Sequence, residues 1–130
     1  MILDTSFIID LLRKKENALK KLEELTKKNE PLIITNLTIF ELSSGLVKSQ
    51  KYEKEKQEIE KVLESQLITS LNKQSAEKAG EIDGQLSREG NSIGSIDIMI
   101  GAIALLRKEK VLTRDINDFS RIKNLEIETY

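Results

Sequence analysis

The first twelve residues, Met1-Ile2-Leu3-Asp4-Thr5-Ser6-Phe7-Ile8-Ile9-Asp10-Leu11-Leu12 (MILDTSFIIDLL), decide how the rest of the chain is read. A short apolar run stops at an acid, two hydroxyl residues able to cap a helix follow, and an apolar stretch resumes. This reads as a buried strand, a turn and a helix. The same alternation continues outward. Lys14–Asn29 is charged with Leu19, Leu22 and Leu25 on one helical stripe, and Pro31 breaks it. Leu32–Thr35 is a second strand, and Thr38–Lys48 a helix with Ile39, Leu42 and Leu46 on one side. Tyr52–Gln66 is a highly charged helix held by Ile59, Val62 and Leu63, and Leu67–Leu71 a short strand. Ser75–Glu89 is a helix with Ala79, Ile82 and Leu86 inward, and Ile96–Leu106, apolar nearly all round, a buried helix. Val111–Thr113 is a strand, Ile116–Ile122 a short helix or turn, and Leu125–Thr129 a last strand. Strands alternating with helices predict an α/β fold, a small parallel sheet of four to five strands with helices on both faces.

The 130 residues suit one domain, 1–130, with a single core. The chain has no His and no Cys, which excludes a disulfide framework, a Cys/His zinc site, a Cys nucleophile and a Ser-His-Asp triad. It equally excludes the metal-free ribonuclease route in which a His pair shuttles protons. Any acid–base or metal chemistry falls to carboxylates. With 21 Lys+Arg against 22 Asp+Glu, the net charge of −1 is not that of a general nucleic-acid coat. No run of 18 apolar residues spans a membrane, no signal peptide is read at the start, and a cytoplasmic protein is expected.

Four acids sit where a carboxylate is costly: Asp4 at the end of the first strand, Glu41 in ITNLTIFELSSG, Asp97 in GSIDIMIGAIALL, and Asp115 at the end of VLTRD, with Asp118 in the next turn. Each has a structural reading. Thr38 and Glu41 spell a T-x-x-E capping box, Ser95 can cap a helix whose first turn holds Asp97, and Asp4 and Asp115 can close βα turns as N-caps. Taken together they suggest more. Ligands of a parallel α/β sheet bind outside the carboxyl ends of its strands, where Asp4 and Asp115 fall, and all four acids can face that edge. Clustered carboxylates repel unless a divalent cation neutralises them, and hard oxygen ligands select Mg²⁺ or Mn²⁺. Such a site suits phosphoryl chemistry.

MILDTSFIIDLL, ELSSGL, GNSIGSIDIMIGAIAL and LTRDINDF, in this order and over essentially the whole chain, resemble the four motif regions of PIN domains, most of all the VapC-type toxins of prokaryotic toxin–antitoxin pairs. The resemblance implies a three-layer α/β/α sandwich and a metal-dependent endoribonuclease that leaves a 5′-phosphate and a 3′-hydroxyl. It implies Asp4, Glu41 and Asp97 as the central acids, Asp115 as the fourth, and Asp118 as an assisting acid. Asp4, Asp97 and Asp115 would hold Mg²⁺ or Mn²⁺, with Ser6 and Thr113 as polar partners of the acids. It further implies an RNA substrate, a small VapB-like antitoxin whose tail occupies the acidic groove, and a homodimer. Arg114 is a candidate phosphate contact, and Leu12, Val47 and Tyr52 are candidate exposed apolar residues for a partner surface. An aspartyl-phosphate phosphatase is a weaker reading, because position 6, where a second Asp is needed, is Ser. The same fold would also suit an RNA-processing nuclease or a catalytically silent binding protein.

Overall fold

A computed structural model describes residues 1–130. In chain order the elements are β1 (Ile2–Leu3), α1 (Thr5–Leu12), α2 (Glu16–Lys27), β2 (Ile33–Thr35), α3 (Asn36–Val47), α4 (Tyr52–Glu64), β3 (Leu67–Thr69), α5 (Lys73–Arg88), α6 (Ser95–Arg107), β4 (Val111–Leu112), α7 (Ile116–Phe119) and β5 (Ile127–Glu128). All five strands are parallel, in the order β3-β2-β1-β4-β5. Ile2 lies in register with Ile33 on one side and Val111 on the other.

The strands are only two or three residues long, yet their alternation sorts the core. Successive side chains of a strand point to opposite faces. Leu3, Ile34 and Leu112 pack with Phe7 and Ile8 of α1, Leu25 of α2 and Leu42 of α3, with Ile59 and Val62 of α4 at the margin. Ile2, Ile33 and Val111 pack the other way, on Ile100, Ile103 and Ala104 of α6, with Phe119 and Ile122. Helix α5 joins that layer by laying Ala79 and Leu86 on Ile98 and Ala102 of α6. The result is the three-layer α/β/α arrangement.

Several boundaries differ from the sequence reading. Helix α3 begins at Asn36, because Thr35, the last residue of β2, is its N-cap and its hydroxyl accepts from the Thr38 amide at 3.3 Å. The expected Thr38–Glu41 capping box does not form. Ser95 is not a cap either; Gly94 occupies the N-cap position of α6 and no side chain caps it. On α2 the inward position falls to Ala18, which is fully buried, and Leu19 is exposed. Helix α6 is not apolar all round in use, since Leu106 is exposed. Leu12 lies against the core, so of the three expected surface apolars only Val47 and Tyr52 are exposed.

Helices α1, α2, α5 and α6 end alike. Lys14, Asn29, Gly90 and Lys108 adopt positive φ, and the next amide bonds back to the carbonyl five residues earlier, as Lys15 does to Asp10 and Glu109 to Ala104. Only one of these four positions is the glycine that such a turn favours.

Gly101 in the middle of α6 sets how closely the segment after α7 approaches. A Cβ there would lie 2.5 Å from Ile122 Cδ1 and 3.5 Å from Leu125 Cδ2. The Ile122 methyl ends a flexible side chain and can turn aside for one carbon. Gly101→Ala is therefore expected to be tolerated, whereas Gly101→Val overpacks the contact and lowers unfolding stability by about 1–3 kcal/mol in urea titrations.

Candidate active site

The strand order reverses at β1, with β2 on one side and β4 on the other, so the crevice at the carboxyl edge opens between β1 and β4. Asp4 follows β1 directly. Its backbone N–H donates to the Leu112 carbonyl (3.0 Å), which ties it to β4, and it is almost fully buried. It stands at the N-cap position of α1 but makes no side-chain cap. Instead Oδ2 accepts from Ser6 Oγ and from Thr113 Oγ1, both at 2.8 Å. Two neutral hydroxyls thus fix the carboxylate, and Oδ1 has no partner within the chain.

Glu41 lies in α3, where Thr5 Oγ1 donates to its Oε1 at 2.6 Å and also contacts Thr38 Oγ1 at 3.1 Å. Thr5 therefore anchors α1 to α3 at the level of the acids. Asp97 occupies the first turn of α6 and is half-buried. Asp115 is the N-cap of α7, its Oδ1 accepting from the Asp118 amide at 3.4 Å. One carboxylate oxygen each from Asp97, Asp115 and Asp118 come within 4.8 Å of one another.

The structure brings every expected acid to one edge but regroups them. The tightest trio contains Asp118, which the sequence reading cast as auxiliary, and Asp4 stands beside the trio rather than in it. Asp4 is nonetheless the strongest charge acting on Asp97, ahead of Asp115, Glu41 and Asp118. Burial first, and then these four like charges, push the Asp97 carboxyl up to about 7. No Lys or Arg forms an ion pair with any of the five acids. A donor set made only of carboxylate oxygens, crowded and lacking a counter-charge, fits a hard divalent cation such as Mg²⁺ or Mn²⁺.

Arg114, the one cation adjacent to these acids in sequence, is turned elsewhere. Its Nη1 donates to both oxygens of Asp10 at 2.7 and 2.8 Å, and Tyr130 Oη donates to Asp10 Oδ2 at 2.7 Å. Sequence reasoning missed Asp10, Thr5 and Tyr130. Asp10 was detectable by the criterion that found the others, an acid lodged in an apolar run (FIIDLL), but the sequence places it neither at a strand end nor in the first turn of a helix.

The raised pKa of Asp97 fixes the sign of a stability effect. Between 3.8 and about 7 the native protein holds a proton that the unfolded chain has released, so stability falls across that window as pH rises. Without divalent ions, Tm is expected to drop from pH 5 to pH 8, and Asp97→Asn to flatten the drop. Millimolar Mn²⁺ at pH 8 should raise Tm of the wild type and leave Asp97→Asn nearly unmoved, read by scanning calorimetry.

Likeness to known proteins identifies the family. The PIN domain family matches residues 1–125. The ribonuclease VapC2 of Rickettsia felis is 27% identical over 129 residues, covering 99% of this chain and 96% of the relative. A tRNA(fMet)-specific endonuclease VapC of Salmonella typhimurium is also 27% identical over 129 residues, with the same coverage. The crystal structure of R. felis VapBC2 bound to a promoter DNA fragment superposes with a TM-score of 0.91 at 26% identity, over 99% of this chain and 97% of that one. With the family match running almost end to end over a sheet of this order and an acidic crevice at its switch point, the chain belongs to the PIN-domain family.

Proposed function

We propose that this protein is a Mg²⁺- or Mn²⁺-dependent endoribonuclease and the toxin of a toxin–antitoxin pair. The observation that carries the reading is the convergence of Asp97, Asp115 and Asp118, with Asp4 and Glu41 beside them and no cationic side chain to balance them. Asp97, Asp115 and Asp118, together with the free Oδ1 of Asp4, would hold the metal. When bound, a divalent ion supplies charge stabilisation of the phosphate and its leaving oxygen and acidifies water.

The chain's own residues do the rest. Ser6 and Thr113 fix one oxygen of Asp4, so that the other presents a single direction to the crevice. Thr5 fixes Glu41 through Oε1, which leaves Oε2 to accept a proton from the water that attacks phosphorus, while the P–O3′ bond opposite breaks and the 3′-oxygen takes a proton from solvent. A carboxylate held by a hydrogen bond at one oxygen keeps its orientation as it takes up that proton. Arg114, half-exposed next to Asp115, would bind a neighbouring phosphate.

The partner reading rests on a second surface. Ile9 and Leu12 of α1 and Leu42 and Leu46 of α3 floor a groove whose charged lining is Glu41, Glu55 and Glu58 against a single cation, Arg13. An antitoxin segment with apolar anchors and a basic residue would fit this groove, and the basic group would reach the acids through Glu41, which belongs to both surfaces. Several relatives of similar fold were solved as VapBC complexes, which supports a protein partner of this kind. A homodimer is part of the same proposal. A transfer RNA is the first substrate to try, given the specificity named for the Salmonella relative. A catalytically silent member of the family is disfavoured because none of the acids is missing.

The test is RNA cleavage. With Mg²⁺ or Mn²⁺ the wild type is expected to cut a labelled RNA, excess EDTA to stop it, and re-added Mn²⁺ to restore it. Asp97→Asn and Asp118→Asn should each lower kcat by about 100-fold or more while circular dichroism stays native. Undiminished activity in EDTA would overturn the metal mechanism. A fully active Asp118→Asn would return Asp118 to an accessory place.

A further inference from the structure

Resting on the nuclease reading, a further assignment concerns the group behind Arg114. Ser6 and Asp10 are four residues apart on α1 and share a face. Both grip the same residue. Ser6 Oγ accepts from the Arg114 backbone N–H at 3.2 Å, and Asp10 accepts from its guanidinium through Nη1 alone. Asp10 is 3% exposed and the Arg114 side chain 57%, so a buried anchor holds a half-exposed cation. Tyr130 completes the anchor. Its hydroxyl donates to Asp10 Oδ2 (2.7 Å), and its ring stands edge-on to Phe7, with centroids 4.9 Å apart at 71°. Burial, and then the Asp10 carboxylate, raise the phenol's pKa, so it stays a donor at any working pH.

A guanidinium has five N–H donors in a rigid planar fork. With only Nη1 engaged, the Nε–H and the two Nη2 hydrogens, which include the side-on pair suited to a bidentate phosphate, have no partner in the chain. A free arginine would lose its rotamer freedom on gripping RNA; this one has already lost much of it to Asp10. Arg114 also lies between Thr113, which holds Asp4, and Asp115 of the acidic trio. Its guanidinium, however, reaches back along α1 to Asp10, one turn beyond Ser6. This offset suits a phosphate next to the scissile one better than the scissile one itself.

We propose that Asp10, with Tyr130 as its second hydrogen-bonding partner, is the positioning residue that fixes Arg114 as a contact to a flanking phosphate of the RNA strand. The anchor acts only through Arg114. Its loss therefore weakens substrate binding, leaves the bond-breaking step alone, and has nothing further to remove once Arg114 is gone.

The experiment measures KM and kcat for a short RNA with Mn²⁺ in Asp10→Asn, Tyr130→Phe, Arg114→Ala and the two double variants with Arg114→Ala. In parallel, binding of the same fluorescein-labelled RNA is measured against salt in the Asp97→Asn background. Arg114→Ala is expected to raise KM about tenfold and to lower the salt slope of binding by about 0.7. Asp10→Asn and Tyr130→Phe should raise KM by about threefold or more with kcat within about twofold. Neither should raise it further in Arg114→Ala. Tyr130→Phe keeps the ring on Phe7 and so remains informative if Asp10→Asn folds poorly. Additive effects with Arg114→Ala, or single variants that lower Tm without moving KM or the salt slope, overturn the proposal. Cleavage with KM unmoved by both anchor variants sinks this assignment and spares the nuclease. Absence of cleavage with the expected binding pattern sinks the nuclease and spares the assignment. Absence of both cleavage and binding sinks the two together.

Discussion

Five carboxylates meet at one edge of the sheet, and no lysine or arginine side chain answers them. Much of the local architecture makes sense as a way of holding that unfavourable gathering in place. Burial and, after it, the like charges of the crevice disfavour an ionised Asp97 and push its carboxyl up to about 7. The acids are nevertheless kept close by groups that carry no charge. Ser6 and Thr113 hold Asp4, and Thr5 holds Glu41. A lysine in those places would bind the acids more strongly but would also cancel their negative field. Hydroxyls orient the carboxylates and leave the field uncompensated.

The cation next to these acids in sequence is held aside by the same logic. Arg114 sits in the sequence between two residues of the crevice, and within the crevice it would neutralise the acids it adjoins. The buried carboxylate of Asp10, one turn along α1 from Ser6, holds it instead. Asp10 thereby keeps the crevice negative and gives Arg114 a defined position at its rim. A net charge of −1 for the whole chain hides this separation, because it averages an acidic crevice with basic groups held outside it.

Much of this was legible in the sequence, for a physical reason. Apolar runs of two to four residues that end in Asp or Thr can be little other than short buried strands meeting helices. An acid inside such a run is costly enough to announce itself, and Asp4, Glu41, Asp97 and Asp115 did so. What sequence could not supply was distance. Asp118, the third residue of a four-residue helix, resembles any polar turn residue until α7 is packed against α6. The Thr38–Glu41 capping box failed because the backbone had already turned helical at Asn36, with Thr35 as the cap. Once Glu41 was not a capping partner, its carboxylate was available to Thr5. Tyr130 gave no signal, since its role depends on a residue 120 positions away.

The junctions themselves carry a consequence for how such a protein can change over time. Thr35 ends β2 and caps α3 with no residue between strand and helix, and Asp4 stands alone between β1 and α1. At such a seam the phase of the helix is set by the strand. One residue inserted between Thr35 and Asn36 would turn α3 by about 100°, a full change of face, and would carry Glu41 away from Thr5 and the crevice. Lengthening the turn between α4 and β3 displaces none of the five acids in this way. Descendants of this sequence are therefore free to vary by growing loops at the margins, but the spacing from strand to acid is locked, residue by residue, wherever the acidic crevice is kept.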